Sequence, residues 1–272
     1  MRINIRGGRK IAVSQPLLNH LHRDTVCQKQ TGARVAQIVK ADAPQMMIPQ
    51  DTFIDIFQKY SFPTYFFNSL LAAGVSTLVS LLFYAMGAYV IAKFEFPGRK
   101  LLFALFTITL LVPSHSKTQP IFSLITKLNL YDSIWGVTLV YLSAGMAMSI
   151  FVLKAGFMAI PKSLDEAATL DGASFFRTFW TINLPLVKSA LATAGILMFL
   201  VNWNEYYFAS LLTVSDSQRT LPIALAFFTS EFPYNYTQLF AALTIVILPG
   251  IILYAIAQDQ VQASVAASGV KG

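Results

Sequence analysis

The chain of 272 residues has few charged residues, three histidines and a single cysteine. Charged residues make up 12% of it, against about 25% in an average soluble domain. Hydrophobic residues make up 55%, and the mean hydropathy is +0.58. This composition argues against an ordinary soluble enzyme and against a disordered protein. It predicts a helical membrane protein with several spans.

The scarcity of cysteine and histidine limits the chemistry of the chain. A lone Cys27 excludes an internal disulfide and a CxxC metal site. His20 and His22 lie nearby, but structural zinc needs four ligands in a closed geometry. No Ser/His/Asp or HExxH arrangement is present. We therefore expect no metal site and no catalytic residue, and no cofactor bound by this chain.

Five long apolar runs are present, at about 65–92, 101–125, 134–153, 186–212 and 238–257. A membrane helix needs about 20 mostly apolar residues, whereas a barrel strand needs about 10 alternating ones. The sequence therefore predicts an all-α, polytopic membrane protein with five transmembrane helices. Prolines 113, 120 and 249 predict kinks, which suit either a gate or static bent helices.

The basic residues near the span ends predict the orientation. Placing 93–100, 154–188 and the C-terminus in the cytoplasm puts eight Lys and Arg on that side. Three, Lys117, Lys127 and Arg219, then lie outside. Since cytoplasmic loops carry the excess of Lys and Arg, we expect a multi-pass inner (plasma) membrane protein of bacterial type with a cytoplasmic C-terminus.

The first 50 residues form a polar, basic segment unlike the rest. Residues 1–62 carry nine Lys and Arg against four Asp and Glu, with no apolar run long enough to span. We expect residues 1–50 to be poorly ordered and 51–272 to form the membrane domain. Five spans and a cytoplasmic C-terminus place this basic segment outside. Either the segment truly faces out, or a first span is missing or degenerate and this is not the native start.

The loop 154–185 between the third and fourth spans is polar but structured. Ser163 and Glu166 have the spacing of a capping box that starts a helix. Gly172 can end that helix in a left-handed cap, and Ser174 can cap a second, aromatic-rich helix. From composition alone, this helix–turn–helix is either an amphipathic surface element on lipid or a docking element for a soluble partner.

The motif in this loop resembles the EAA loop of ABC-importer permeases. Glu166-Ala167-Ala168, then Gly172 after three intervening residues, then Ile182-x-Leu184-Pro185 after nine more, fit every spaced position. Four further segments resemble the carbohydrate-uptake branch, the maltose-type second permease, and the resemblance covers 51–272. These segments are 96–99, 203–205, 220–222 and 267–272.

The resemblance implies an ATP-driven, binding-protein-dependent sugar importer with this chain as a permease subunit. It implies a second permease subunit, two ATP-binding subunits that bind ATP with magnesium, and an external solute-binding protein. The segment 154–185, called the EAA loop from here on, would couple this chain to one ATPase. The residues implied in that joint are Glu166, Ala167, Ala168, Asp171, Gly172 and Ala173.

Polar residues inside the fourth span are candidates for the translocation path. Asn202, Trp203, Asn204 and Glu205 combine hydrogen-bonding groups with an aromatic face, which is chemistry that binds sugars. Intramembrane polar residues are functional candidates, but Asn and Glu also bond between helices for packing. Both interpretations stay open.

Other functions fit the sequence less well. A stand-alone secondary solute carrier is the alternative, but internal halves related by symmetry, which would favour it, are not evident. A membrane enzyme would need clustered titratable groups, and a channel would need a filter-like or charge-ring pattern. We expect the lipid bilayer and a sugar as partners, and no nucleic acid.

Overall fold

The computed structural model of the protein describes residues 2–4, 10–12, 48–59, 61–230 and 236–269. The chain divides into two units, Met1–Pro49 and Gln50–Gly272. In the first unit, strands β1 (Arg2–Asn4) and β2 (Lys10–Ala12) pair antiparallel, with Ile3 opposite Ile11. Apart from these strands and residues 48–50, the segment 1–50 lies outside the described part of the chain, and with it the expectation of poor order and the residues Cys27, His20 and His22.

The second unit is helical, as predicted. Its α-helices are α1 (Gln50–Lys59), α2 (Phe62–Lys93), α3 (Arg99–Ile108), α4 (Thr118–Lys127), α5 (Ile134–Tyr141), α6 (Met146–Ala159), α7 (Lys162–Leu170), α8 (Phe175–Thr178), α9 (Leu184–Leu186), α10 (Lys188–Trp203), α11 (Tyr207–Leu212), α12 (Leu221–Ser230) and α13 (Tyr236–Gly269). Short 3₁₀ turns cover Thr109–Leu111, Ser114–Lys117 and Asp216–Gln218, and a π-helical turn covers Phe179–Asn183.

Among the described residues, two helices are long and apolar enough to cross a membrane, α2 and the Tyr236–Ile256 part of α13. Three bent pairs also qualify if each counts as one span. The pairs are Arg99–Leu111 with Ser114–Lys127, Ile134–Tyr141 with Met146–Ala159, and Phe175–Leu186 with Lys188–Trp203, bent by 104°, 47° and 79°. The five predicted spans correspond to these two helices and three bent pairs.

The bends have local causes that the apolar runs do not reveal. Pro113 has an extended backbone between the two helices of its pair, so a kink predicted there is confirmed as a break. Gly145, at φ +68°, separates α5 from α6 in a left-handed conformation that favours glycine. Pro120 lies in the first turn of α4, where proline is tolerated, and Pro249 lies inside the continuous α13.

The fourth run, 186–212, is not one helix, so the prediction of a single span over it is wrong in detail. Its helix bends near Val187, ends at Trp203 and resumes at Tyr207 as α11. The third run also differs, because α6 continues to Ala159 and takes the first residues of the predicted EAA loop.

Helix α2 lies at the centre of the bundle and packs against α5, α6 and α10. Its buried face is rich in small residues, which allow helices to approach closely in a membrane: Ser69, Ala72, Ala73, Ser76, Thr77, Ser80, Ala85 and Ala88. Gly156 serves the same purpose between α6 and α10, since a Cβ there would lie 2.8 Å from the Cβ of Ala190. Close packing therefore fixes α2 relative to the helix that leads into the EAA loop.

Candidate functional site

The first helix of the EAA loop begins differently from the prediction. Pro161 precedes α7, and the helix starts at Lys162 with no side-chain cap. Ser163 thus lies within the first turn, and the predicted capping box with Glu166 is wrong. The extended Pro161 (φ −57°, ψ 137°) ends the preceding span and sets the start of α7 one residue before Ser163.

The turn after α7 agrees with the prediction. Gly172 has φ +75°, and a Cβ placed there would contact nothing within 4 Å. The amide of Gly172 donates to the carbonyl of Thr169 at 3.0 Å, and that of Ala173 to Ala168 at 2.9 Å. These two bonds form a Schellman motif, which satisfies the last carbonyls of a helix. Glycine is favoured at this position because of the positive φ, and not because neighbouring atoms exclude a side chain.

The second helix of the loop also begins as predicted. The hydroxyl of Ser174 accepts a hydrogen bond from the amide of Arg177 at 3.4 Å. The chain then passes through the π-helical turn into α9, where Pro185 lies in the first turn. The loop is therefore two short helices joined by a tight turn, and the second runs directly into the fourth span.

A buried ionic contact ties the loop to α2. The ammonium group of Lys93, at the end of α2, lies 2.7 Å from a carboxylate oxygen of Asp165 and 2.9 Å from the carbonyl of Ile160. The other oxygen of Asp165 accepts from the side-chain amide of Asn183 at 2.6 Å. Side-chain exposure is 5% for Lys93 and 23% for Asp165. One carboxylate thus joins α2 to both helices of the loop.

This contact was not predicted from the sequence, which indicated only that the basic segment 93–100 lies in the cytoplasm. A signal was present, because Asn183 lies in the mostly apolar stretch 179–185, and a buried amide needs partners. The pairing itself joins residues 72 positions apart, which no local pattern predicts.

An aromatic cluster holds the second helix against the bundle. The ring of Tyr89 on α2 lies 5.2 Å from Phe179, 5.5 Å from Phe175 and 5.4 Å from Phe157 of α6, centroid to centroid. Phe179 is buried at 1% exposure. Tilted aromatic pairs at these distances add to the stabilisation from burial. The loop is therefore anchored to two spans at once.

The six residues that the resemblance places in the joint are brought together on one side of this anchor. Glu166, Ala167, Asp171 and Gly172 are exposed, Ala173 is half-buried and Ala168 is buried. Leu170 on the same helix is 89% exposed. Exposed small, charged and apolar groups on a firmly held helix form a surface suited to docking another protein.

The four residues predicted for the translocation path occupy different environments. Asn202 is buried and donates to the hydroxyl of Ser76 at 2.9 Å. Trp203 is buried, and its indole N–H donates to the carbonyl of Val246 at 3.0 Å. Asn204 is exposed, and its side-chain amide donates to the Leu200 carbonyl at 2.7 Å.

Glu205 explains the break between α10 and α11. Its carboxylate accepts the amide N–H of Phe208 at 2.8 Å and that of Ala209 at 3.0 Å, in the first turn of α11. It also accepts the phenol of Tyr141 at 3.0 Å. A carboxylate on free amides at a helix N-terminus stabilises that terminus. The apolar run did not indicate that Glu205 caps the N-terminus of a new helix.

The loops at this same end of the bundle are linked by Asp132. Its carboxylate accepts a hydrogen bond from the hydroxyl of Ser215 and from the amides of Val214 and Ser215. These bonds, with that of the Ser215 hydroxyl the largest contribution, lower the pKa of Asp132 below its usual value. The link fixes the segment after α11 to the turn before α5.

Within the described residues, no group of three or more His, Cys, Asp or Glu is arranged to hold a metal ion. Five helical spans and an anchored helix–turn–helix at one end of the bundle define a polytopic membrane protein. The chain belongs to the family of inner membrane components of binding-protein-dependent transport systems, which matches residues 84–267. It is therefore a transport subunit rather than an enzyme, and the resemblance stated above is confirmed.

Named relatives and a solved structure agree with this membership. The chain is 32% identical to the trehalose transport system permease protein SugB of Mycobacterium tuberculosis, over 82% of each chain. It is 33% identical to the trehalose/maltose transport system permease protein MalG of Thermococcus litoralis, over 78% of this chain and 76% of the other. A chain of a bacterial ABC transporter involved in alginate import shares the fold, with TM-score 0.69 and 22% identity, over 92% of this chain and 99% of that one.

Proposed function

We propose that this chain imports a sugar as one of two permease subunits, driven by ATP with magnesium bound in two separate ATP-binding subunits. An external solute-binding protein delivers the sugar. Two relatives named for trehalose and for trehalose or maltose, together with an alginate importer of the same fold, support a carbohydrate substrate. The alternative of a stand-alone secondary carrier receives no support from these relatives.

The observation that carries the coupling role is the anchored EAA loop. Glu166, Ala167, Asp171 and Gly172 face outward, whereas Asp165 and Phe179 hold the same loop to α2 and α6. A docking partner that moves the exposed face would therefore move the spans with it, since packed elements move as bodies. In this proposal the EAA loop and the C-terminus are cytoplasmic, as the distribution of Lys and Arg indicates.

The exposed Asn204 is our candidate for contact with the sugar. Among the four residues of the fourth span, it alone turns an exposed amide away from the packed interior. Asn202, Trp203 and Glu205 position it, because each holds one side of the break in place. The exposed ring of Tyr206 beside it offers an aromatic face for a sugar ring.

Purification and transport measurements test the proposal. The tagged chain is expected to recover a soluble ATPase, and Glu166→Lys or Gly172→Pro is expected to abolish that recovery. Lys127→Glu, at the opposite end of the bundle, serves as the matched charge-change control and is expected to retain the ATPase. Full sugar flux from this chain alone in liposomes would contradict the proposal.

A further inference from the structure

Three basic side chains share one pocket at the end of the bundle that carries the EAA loop. Arg99 and Lys100 begin α3, and Lys154 lies on the facing side of α6. With Ile91 and Phe103 they line a cavity of about 320 Å³, called the basic pocket from here on. The Lys154 ammonium lies 3.6 Å from the centroid of the Phe103 ring, a cation–π contact.

Among the described residues, these three charges have no counter-ion. Across the described residues, the ion pairs are Lys93 with Asp165 and Arg219 with Asp216, and neither involves the basic pocket. Helix α3 has no acidic residue in its first turn. Basic residues at a helix N-terminus add to the positive end of its dipole, so an anion there would be stabilising. The pocket is thus a concentration of positive charge that the described chain leaves uncompensated.

An apolar groove continues from the basic pocket along the bundle. It has a volume of about 330 Å³ and runs between α2 and α3, with Met86, Val90, Leu102 and Phe106 on its walls. Ile91 lines both the groove and the pocket, so the two are adjacent. A ligand with an anionic group and an attached hydrocarbon chain would place the anion in the basic pocket and the chain in the apolar groove.

The depth of the pocket also fits a lipid headgroup. Lys154 lies five residues before the end of α6, which is about 7 Å along a helix. Arg99 lies at the start of a span, so the three charges surround span ends, where long basic side chains reach the interface. Basic pockets between spans on one face of a membrane bind anionic lipid headgroups.

We propose that the basic pocket and the adjoining groove form a binding site for one anionic phospholipid. The phosphate lies among Arg99, Lys100 and Lys154, and one acyl chain lies along the groove beside the second helix of the EAA loop. The site does not depend on which sugar is transported, because it requires only that the chain lies in a membrane.

Native mass spectrometry of the full chain in mild detergent tests the site, with phosphatidylglycerol and phosphatidylcholine as probes. Wild type is expected to bind phosphatidylglycerol at least about tenfold more tightly, since each basic group adds attraction to an anionic surface. Arg99→Gln, Lys100→Gln and Lys154→Gln together are expected to reduce this preference to less than about twofold. The matched control, Lys162→Gln, Arg177→Gln and Lys188→Gln, removes the same charge elsewhere at this end and is expected to retain it.

Three further variants and one soluble probe separate the contributions. A triple variant with Arg99→Lys, Lys100→Arg and Lys154→Arg keeps the charges and is expected to keep the preference for phosphatidylglycerol. If the triple Gln variant does not fold, Lys154→Gln alone replaces it in the test. Leu102→Trp fills the groove without changing charge and is expected to weaken phosphatidylglycerol binding. Glycerol phosphate at millimolar concentration is expected not to displace the lipid. Equal binding of the two lipids by wild type, or an equal loss in the matched control, would overturn the proposal.

Discussion

The contact of Asp165 with Lys93 and Asn183 yields the sharpest prediction. Asp165→Asn keeps the size of the side chain but removes its charge, and it leaves the nearly buried Lys93 ammonium with the Ile160 carbonyl as its remaining strong acceptor. We expect this change to destabilise the protein and to loosen the EAA loop from α2.

The magnitude follows from burial. Removing one partner of a buried pair costs about 3–5 kcal/mol. Asp165 keeps 23% of its side chain exposed, and an amide oxygen can still accept one bond, so we expect about 2–3 kcal/mol. Replacing both partners, as Lys93→Met with Asp165→Leu, leaves no unpaired charge. That double variant is expected to cost less than the sum of its single changes, by about 0.5–3 kcal/mol.

Unfolding of the purified protein and the ratio of sugar transported to ATP hydrolysed are the two measurements. For unfolding, the matched control is Asp171→Asn, which removes a charge from an exposed position on the same loop. Asp165→Asn is expected to lower both the free energy of unfolding and the transport ratio. If its stability lies within about 0.5 kcal/mol of Asp171→Asn, the range usual for surface substitutions, the anchoring role is refuted.

Three further predictions concern single sites. Gly172→Ala is expected to cost about 1–2 kcal/mol, because an L-residue is strained at φ +75°. Thermal unfolding checks this against Gly74→Ala, a helical position with free space, where no loss is expected. Trp203→Phe removes the indole N–H that donates to the Val246 carbonyl and is expected to cost about 1–3 kcal/mol in the same assay. Asp132 has a lowered pKa, so its contribution is present above the unfolded-state pKa and is lost as pH falls through the folded-state pKa. Acid unfolding of Asp132→Asn is expected to lack this component.

Local rules predict much of this molecule. The number of spans follows from apolar length, and the turn at Gly172 and the cap at Ser174 follow from residue preferences at helix ends. These features depend on a few neighbouring residues, so the sequence is sufficient for them. The wrong capping box shows the limit even there, because Pro161 set the helix start before Ser163 could serve as a cap.

Features that depend on distant partners were not predictable in the same way. The apolar run 186–212 gives no sign that Glu205 starts a new helix, since its partner Tyr141 lies 64 residues away. The environments of Asn202 and Asn204 likewise differ because of α2, which buries the first beside Ser76 and leaves the second exposed. Both residues look equivalent in the sequence.

Within the EAA loop, different residues are exposed and anchored. The motif that identifies the loop, from Glu166 to Gly172, lies mostly on its exposed face, whereas Asp165 and Phe179 anchor it. In the proposed function, the exposed residues form the docking face for the ATPase, and the anchoring residues lie between and behind them on the same two helices. Motion of the docked face is then expected to reach α2 and α6 through Asp165 and Phe179, because packed elements move as bodies.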